Sequence, residues 1–152
     1  MTDWLKKAEA QREDYLADLT ALMKIESVRD DAAATDEYPL GPGTAQALAA
    51  FLEMAKQDGF KTKNIDNLVG YAEWGEGDET LAILAHLDVM PAGNGWDTPA
   101  FDPVVKDGKL IGRGASDDKG PGMAAYYAMK TLKEMGVTPN KKVRLIIGTD
   151  EE

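Results

Sequence analysis

Between Trp4 and Met23 apolar residues fall at Trp4, Leu5, Ala8, Tyr15, Leu16, Leu19, Leu22 and Met23, with charges between them. That is the period of an amphipathic helix with one core-facing stripe. A second helix is predicted from roughly Thr44 to Lys56, burying Ala45, Leu48, Phe51, Leu52 and Ala55, with Gly59 placed as its C-terminal stop. Between the two helices, Ser27 to Gly43 is rich in Asp, Ala, Pro and Gly without periodicity, so it reads as a surface loop able to approach a ligand.

The period then changes. Phe60–Ile65, Leu68–Trp74 and Thr80–His86 are short β-prone runs separated by Asp-Asn and Gly-Glu-Gly-Asp, consistent with neighbouring strands and a hairpin. Leu81 to Ala85 shows no polar alternation, which predicts a strand covered on both faces at the centre of a sheet. Val104-Val105 and Leu110-Ile111 flank Asp107-Gly108, a favoured hairpin turn. Pro121 suits the first turn of a helix running to about Met135, Gly136 suits its end, and Lys142–Gly148 is the last strand. This order predicts an α/β fold with a mixed central sheet sandwiched between helices, without internal repeats. Because an α/β domain normally continues from such a strand into another helix, the chain is expected to be the N-terminal piece of something longer.

Composition narrows the function. A chain of 152 residues is the size of one domain. Its 27 acidic and 17 basic side chains give a net charge of −10, which argues against nucleic acid or anionic lipid as partners. The short basic stretch Lys141-Lys142-Val143-Arg144 leads into a strand and reads as solvated charge. With no cysteine, any metal must be held by nitrogen or oxygen, and a reducing setting is compatible. The polar N-terminus lacks a secretory pattern and no apolar stretch is long enough to span a membrane, so a soluble, cytoplasmic protein is expected.

Chemistry gathers at three places. His86, the one histidine, closes an apolar run and is followed two residues later by Asp88. In extended chain i and i+2 point the same way, so Asp88 is placed to orient the imidazole while Leu87 faces the core. Gly112 to Gly120 is a glycine-rich strand-to-helix loop carrying Asp117-Asp118. It lacks the phosphate-loop spacing and its aspartates would repel phosphate, which leaves a helix-capping turn or a cation site. Asp150-Glu151-Glu152 follows the last strand, either as a frayed acidic end or as a pair in which one glutamate binds metal and the other takes a proton from water.

His86-Leu87-Asp88-Val89-Met90-Pro91-Ala92-Gly93 with Asn94-Gly95-Trp96, then Gly112-Arg113-Gly114 through Asp117-Asp118-Lys119-Gly120-Pro121, then Thr149-Asp150-Glu151-Glu152, resemble the co-catalytic zinc metallopeptidases. That family includes aminoacylases, desuccinylases, glutamate carboxypeptidases and dipeptidases, and the motifs look most like the bacterial Xaa-His dipeptidase branch. The resemblance implies the N-terminal part of a peptidase catalytic domain over residues 1–152, with two Zn2+ ions per complete site, Mn2+ or Co2+ as possible substitutes, and a small peptide as substrate. His86 would bind one zinc, Asp88 would orient it, and Asp117 would bridge both ions, followed by a peptide bond commonly cis. Glu151 would be the general base that activates water, and Glu152 a ligand of the second zinc. A further acidic ligand, a second histidine and a lid domain come from later sequence in the family, so the chain is expected to be inactive alone, with the missing C-terminal part or a second copy as partner. The alternative is a noncatalytic module that binds a cation weakly or associates with another chain.

Overall fold

A computed structural model describes residues 3–152. The elements are α1 (Asp3–Ala10), α2 (Arg12–Met23), α3 (Pro42–Gln57), β1 (Lys61–Ile65), β2 (Val69–Trp74), β3 (Thr80–His86), β4 (Val104–Lys106), β5 (Lys109–Ile111), α4 (Lys119–Glu134) and β6 (Lys142–Gly148). The predicted first helix is broken at Gln11, whose side chain is held by Thr131 and Glu134 of α4. Only the second piece reaches the core, through Leu19, Leu22 and Met23, while Trp4 and Ala8 stay exposed.

The later helices end as their glycines predict. Gly59 and Gly136 both have positive φ, and each follows the last helical residues in a paired closure. Phe60 N–H donates to Ala55 O and Gly59 N–H to Lys56 O, and the same pattern joins Val137 to Leu132 and Gly136 to Lys133. Pro42 opens α3 at its first position, where a missing N–H costs nothing.

The main sheet has the order β1-β2-β6-β3. The β1–β2 and β2–β6 pairs are antiparallel, and β3 runs parallel to β6 with His86 opposite Gly148. Helix α4 makes the crossover between those parallel strands, and β4 with β5 forms the predicted separate hairpin around Asp107-Gly108. The mixed α/β sheet with flanking helices agrees with the sequence expectation, but its details differ. β2 and β3 are not neighbours, because β6 lies between them. And β3 is an edge strand rather than a central one: Leu81 and Leu84 are 55% and 77% exposed.

Both covering helices lie on the same face. Leu48 and Leu52 of α3 pack against Gly70, and Gly122 of α4 packs against Ala85; Gly70, Ile147 and Ala85 are register partners on that side. The core between sheet and helices holds Leu48, Phe51, Ala72, Met123, Tyr126, Leu145 and Ile147. Leu84 and Ile146 face the other side, so among the described residues the sheet is covered on one face, not sandwiched. None of the described helices is long and apolar enough to cross a membrane.

Candidate metal centre

Placing β3 beside β6 in parallel brings their C-terminal ends together, and open α/β sheets carry their ligands at such ends. His86 is the last residue of β3 and is buried, as are Leu87 and Asp88 beyond it. The expected alternation holds: Leu87 enters the core, while Asp88 turns back to the imidazole, its Oδ1 3.3 Å and its carbonyl 3.1 Å from His86 Nδ1. These oxygens make Nδ1 the N–H donor, leaving the Nε2 lone pair facing outward. Asp88 Oδ1 has no other partner despite its burial.

The acids of the other two clusters arrive at Nε2. Asp117 Oδ1 lies 3.2 Å from it and Glu151 Oε2 3.6 Å. A neutral ring would point a lone pair at two carboxylate oxygens, an arrangement that only a proton or a bound cation relieves. Burial works against the imidazolium, but Asp88, Asp118 and Glu151 outweigh it and raise the His86 pKa above its ordinary value.

The 112–120 loop is shaped to deliver Asp117. Gly120 approaches so closely that an added Cβ would lie 2.0 Å from Ala115 O, and its N–H donates to Gly114 O. The Asp117–Asp118 peptide is cis, as the resemblance implies. Asp118 Oδ2 accepts the backbone N–H of His86 at 3.1 Å, tying this loop to the end of β3. Arg113 donates to Pro91 O and Ala92 O and stacks over Trp96, so the second motif also holds the segment that follows the first.

Glu152 takes a different direction from Glu151. It lines a cavity of about 240 Å³ with Val28, Arg29, Asp88, Met90 and Asp150, whereas Glu151 lines a neighbouring one with His86, Asp118, Leu84 and, again, Asp150. Of the expected site residues, then, His86, Asp88, Asp117 and Glu151 converge directly, and Glu152 joins them through its backbone. Its N–H and that of Glu151 both donate to Asp88 Oδ2, at 2.9 and 2.7 Å.

These donors suit a borderline divalent ion in kind and in spacing. Two ligands on a tetrahedral zinc at its usual bond lengths lie about 3.3 Å apart, close to the 3.2 Å between His86 Nε2 and Asp117 Oδ1. The pair fits two coordination positions of one ion. Among the described residues no group of three or more His, Asp or Glu is arranged to hold a metal by itself.

Sequence reasoning passed over Arg29, Ser27 and Lys119. Ser27 is buried and its Oγ donates to Leu87 O at 2.5 Å. Lys119, also buried, donates from Nζ to Leu22 O at 3.0 Å and Ile25 O at 2.8 Å, tethering the start of α4 to the end of α2. Burial pushes its pKa down to about 8 against the opposing pull of Asp88. Periodicity carries no signal for any of the three, since each acts through contacts distant in the chain.

Comparison with known proteins agrees with this geometry. Residues 82–152, which contain all three motifs, match the family described as "Peptidase family M20/M25/M40". Over 149 residues, 98% of its length, the chain is 50% identical to "Putative dipeptidase SH1171" of Staphylococcus haemolyticus and 48% identical to "Putative dipeptidase SAUSA300_1697" of Staphylococcus aureus. It spans 32% of each of those proteins, about a third of their length. Among solved structures, human carnosine dipeptidase 1 superposes with a TM-score of 0.80 at 22% identity, over 96% of this chain and 34% of that one. The dipeptidase Dug1p of Saccharomyces cerevisiae gives 0.79 at 23% identity, over 95% and 33%. The metallo-carboxypeptidase Sso-CP2 of Sulfolobus solfataricus gives 0.74 at 26% identity, over 90% and 31%. The three motifs lie on the residues that match this family, and the fold of these solved structures is shared along almost the whole chain.

Proposed function

We propose that the chain is part of a zinc-dependent dipeptidase, carrying half of a site at which two ions and an acidic base hydrolyse a small peptide. The observation that carries this is the meeting of Asp117 Oδ1 and Glu151 Oε2 at the outward nitrogen of His86, 3.2 and 3.6 Å away. The names of the bacterial relatives support the dipeptide as substrate class.

In this reading His86 Nε2 and Asp117 would hold one ion, and Asp117 and Glu152 would hold the second. Ions held there would polarise the peptide carbonyl and make water acidic enough to ionise near neutral pH. Glu151, whose carboxylate is exposed to the site, takes the proton from the attacking water and returns it to the leaving amine. Asp88 keeps the His86 ring in the orientation and tautomer that leave Nε2 free to ligate. Residues 1–152 form a partial catalytic domain, and the remaining ligands and a substrate-covering lid would come from polypeptide of the kind that makes up the other two thirds of the relatives. The cysteine-free composition supports a cytoplasmic setting.

Zinc titration by calorimetry, followed by dipeptide hydrolysis, tests this on the wild-type chain and Asp117→Ala. Each would be assayed alone and mixed with the remaining two thirds of the Staphylococcus haemolyticus relative. Hydrolysis that appears only in the mixture and disappears with Asp117→Ala is the expected result. Zinc binding unaffected by Asp117→Ala, with no hydrolysis in any mixture, would leave the noncatalytic cation-binding module as the better description.

A further inference from the structure

Arg29 lies between α2 and α3, in the stretch anticipated as a ligand-approaching loop, two residues after Ser27, which is fastened to the segment that follows His86. Ser27 Oγ donates to Leu87 O at 2.5 Å, and Val89 N–H donates to Ser27 O at 3.1 Å, so Ser27 is held against residues 87–89. From that anchor the guanidinium crosses to the other strand end. Nη1 donates to both oxygens of Asp150, at 2.9 and 3.1 Å, and Nε donates to Asp31 at 2.7 Å.

Asp150, Glu151 and Glu152 are three successive carboxylates, and unless each is given its own direction they repel and compete for the same cation. In the structure their partners differ. Asp150 goes to Arg29 and Glu151 to His86 Nε2, while Glu152 borders a cavity together with Arg29, Asp88 and Asp150 itself. We propose that Arg29 is a positioning residue of the cation site: by holding Asp150 aside it keeps that carboxylate out of coordination and sets the turn from which Glu151 and Glu152 are presented. The inference rests on the two-ion reading above.

Arg29 is half exposed, and exposed ion pairs contribute little to stability, so its effect is one of direction rather than of folding. Simple electrostatics predicts the opposite sign from positioning. A cation beside the site repels an incoming metal ion, so deleting it should tighten metal binding if charge were all that mattered. Loss of the fork should weaken binding instead, about tenfold if the turn that presents Glu152 loosens as a ligand does on losing an outer partner.

The test is cobalt(II) titration of the 152-residue chain, followed by visible absorption, on wild type, Arg29→Ala, Arg29→Lys and Asp31→Ala. The backbone amide resonances of Glu151 and Glu152 are recorded without metal in the same proteins. Expected are about tenfold weaker cobalt binding and displaced Glu151 and Glu152 amides in Arg29→Ala, a smaller loss in Arg29→Lys, and near wild-type behaviour in Asp31→Ala, which leaves the Asp150 fork intact. Cobalt binding that tightens or stays within about twofold in Arg29→Ala overturns the proposal. Should the wild-type chain take up no cobalt, the metal reading itself fails, and the amide resonances decide the positioning role: unmoved amides in Arg29→Ala and Arg29→Lys would rule it out.

Discussion

The carboxylate of Asp88 accepts the backbone N–H of Glu151 at 2.7 Å while its other oxygen lies 3.3 Å from His86 Nδ1. One buried side chain thus joins the ends of two strands that are about sixty residues apart in sequence, since the hydrogen bond itself spans a separation of 63. It orients the imidazole and holds the turn that carries Glu151.

Replacing Asp88 should therefore do two things at once. Asp88→Ala leaves two amides without their acceptor and the His86 ring without its carboxylate, which should lower stability by about 1–3 kcal/mol and metal affinity by about 10- to 100-fold. Urea unfolding and zinc calorimetry on the same preparation check both. A loss of stability with metal affinity intact would separate Asp88 from the site.

Metal binding should carry the signature of a raised histidine pKa. A ligating imidazole must be deprotonated, and after the opposing effect of burial Asp88, Asp118 and Glu151 hold the His86 pKa above 6.5. Affinity should fall as pH drops, with a midpoint above that value. Glu151→Gln removes one of the stabilising charges and should move the midpoint down. Zinc calorimetry across pH 5.5–8.5, a range of about three units spanning the ordinary histidine value, reads the shift directly.

Lys119 should make stability rise with pH in an unusual window. Its pKa is about 8 in the fold against 10.5 for the free side chain, so between those values the unfolded chain binds more protons than the native one. Stability then increases as pH rises from about 8, toward a full gain of about 3 kcal/mol. Burial and the hydrogen bonds to Asp58 and Asp18 hold the Tyr126 and Tyr127 pKa values above the ordinary 10, an effect lost as pH rises past the point where the unfolded tyrosines ionise. The two trends should produce a maximum near pH 9 to 10, about where the ordinary lysine and tyrosine values meet. Guanidinium unfolding of wild type and Lys119→Met across that range tests it, the variant being expected to lose the rising limb.

The edge position of β3 predicts opposite responses at two leucines on neighbouring strands. Leu145→Ala opens a cavity in the core and should cost about 2–5 kcal/mol, since Leu145 is fully buried. Leu84→Lys falls on an exposed site and should change stability by about 0.5 kcal/mol or less while lowering self-association along the unprotected edge. Denaturant midpoints and sedimentation velocity distinguish these outcomes. Destabilisation of a similar size in both variants would contradict the strand order.

Much of the local structure was legible because its causes are local. The spacing of Leu48, Phe51, Leu52 and Ala55 encodes the buried face of α3, and Gly59 and Gly136 take the left-handed conformation that closes their helices. Asp107-Gly108 makes its turn without help from the rest of the chain. The alternation in His86-Leu87-Asp88 places the imidazole and its carboxylate together, because two residues of extended chain are all that geometry needs. The break at Gln11 was not legible, since it depends on α4 offering Thr131 and Glu134 as partners.

An unbroken apolar run is likewise ambiguous about its neighbours. Leu81 to Ala85 would be a central strand if polypeptide covered both sides, and it is an edge strand here because β6 pairs with one side only.

The amino-acid order by itself determined which side chains stand at strand ends and loop tips, since backbone propensity, turn chemistry and side-chain period act over a few residues. Only the tertiary structure decided that β6 lies parallel beside β3, bringing Glu151 to His86 and Asp150 to Arg29, and that Lys119 is buried under α2. Those contacts join segments far apart in the chain, and which of them form depends on how the whole core packs.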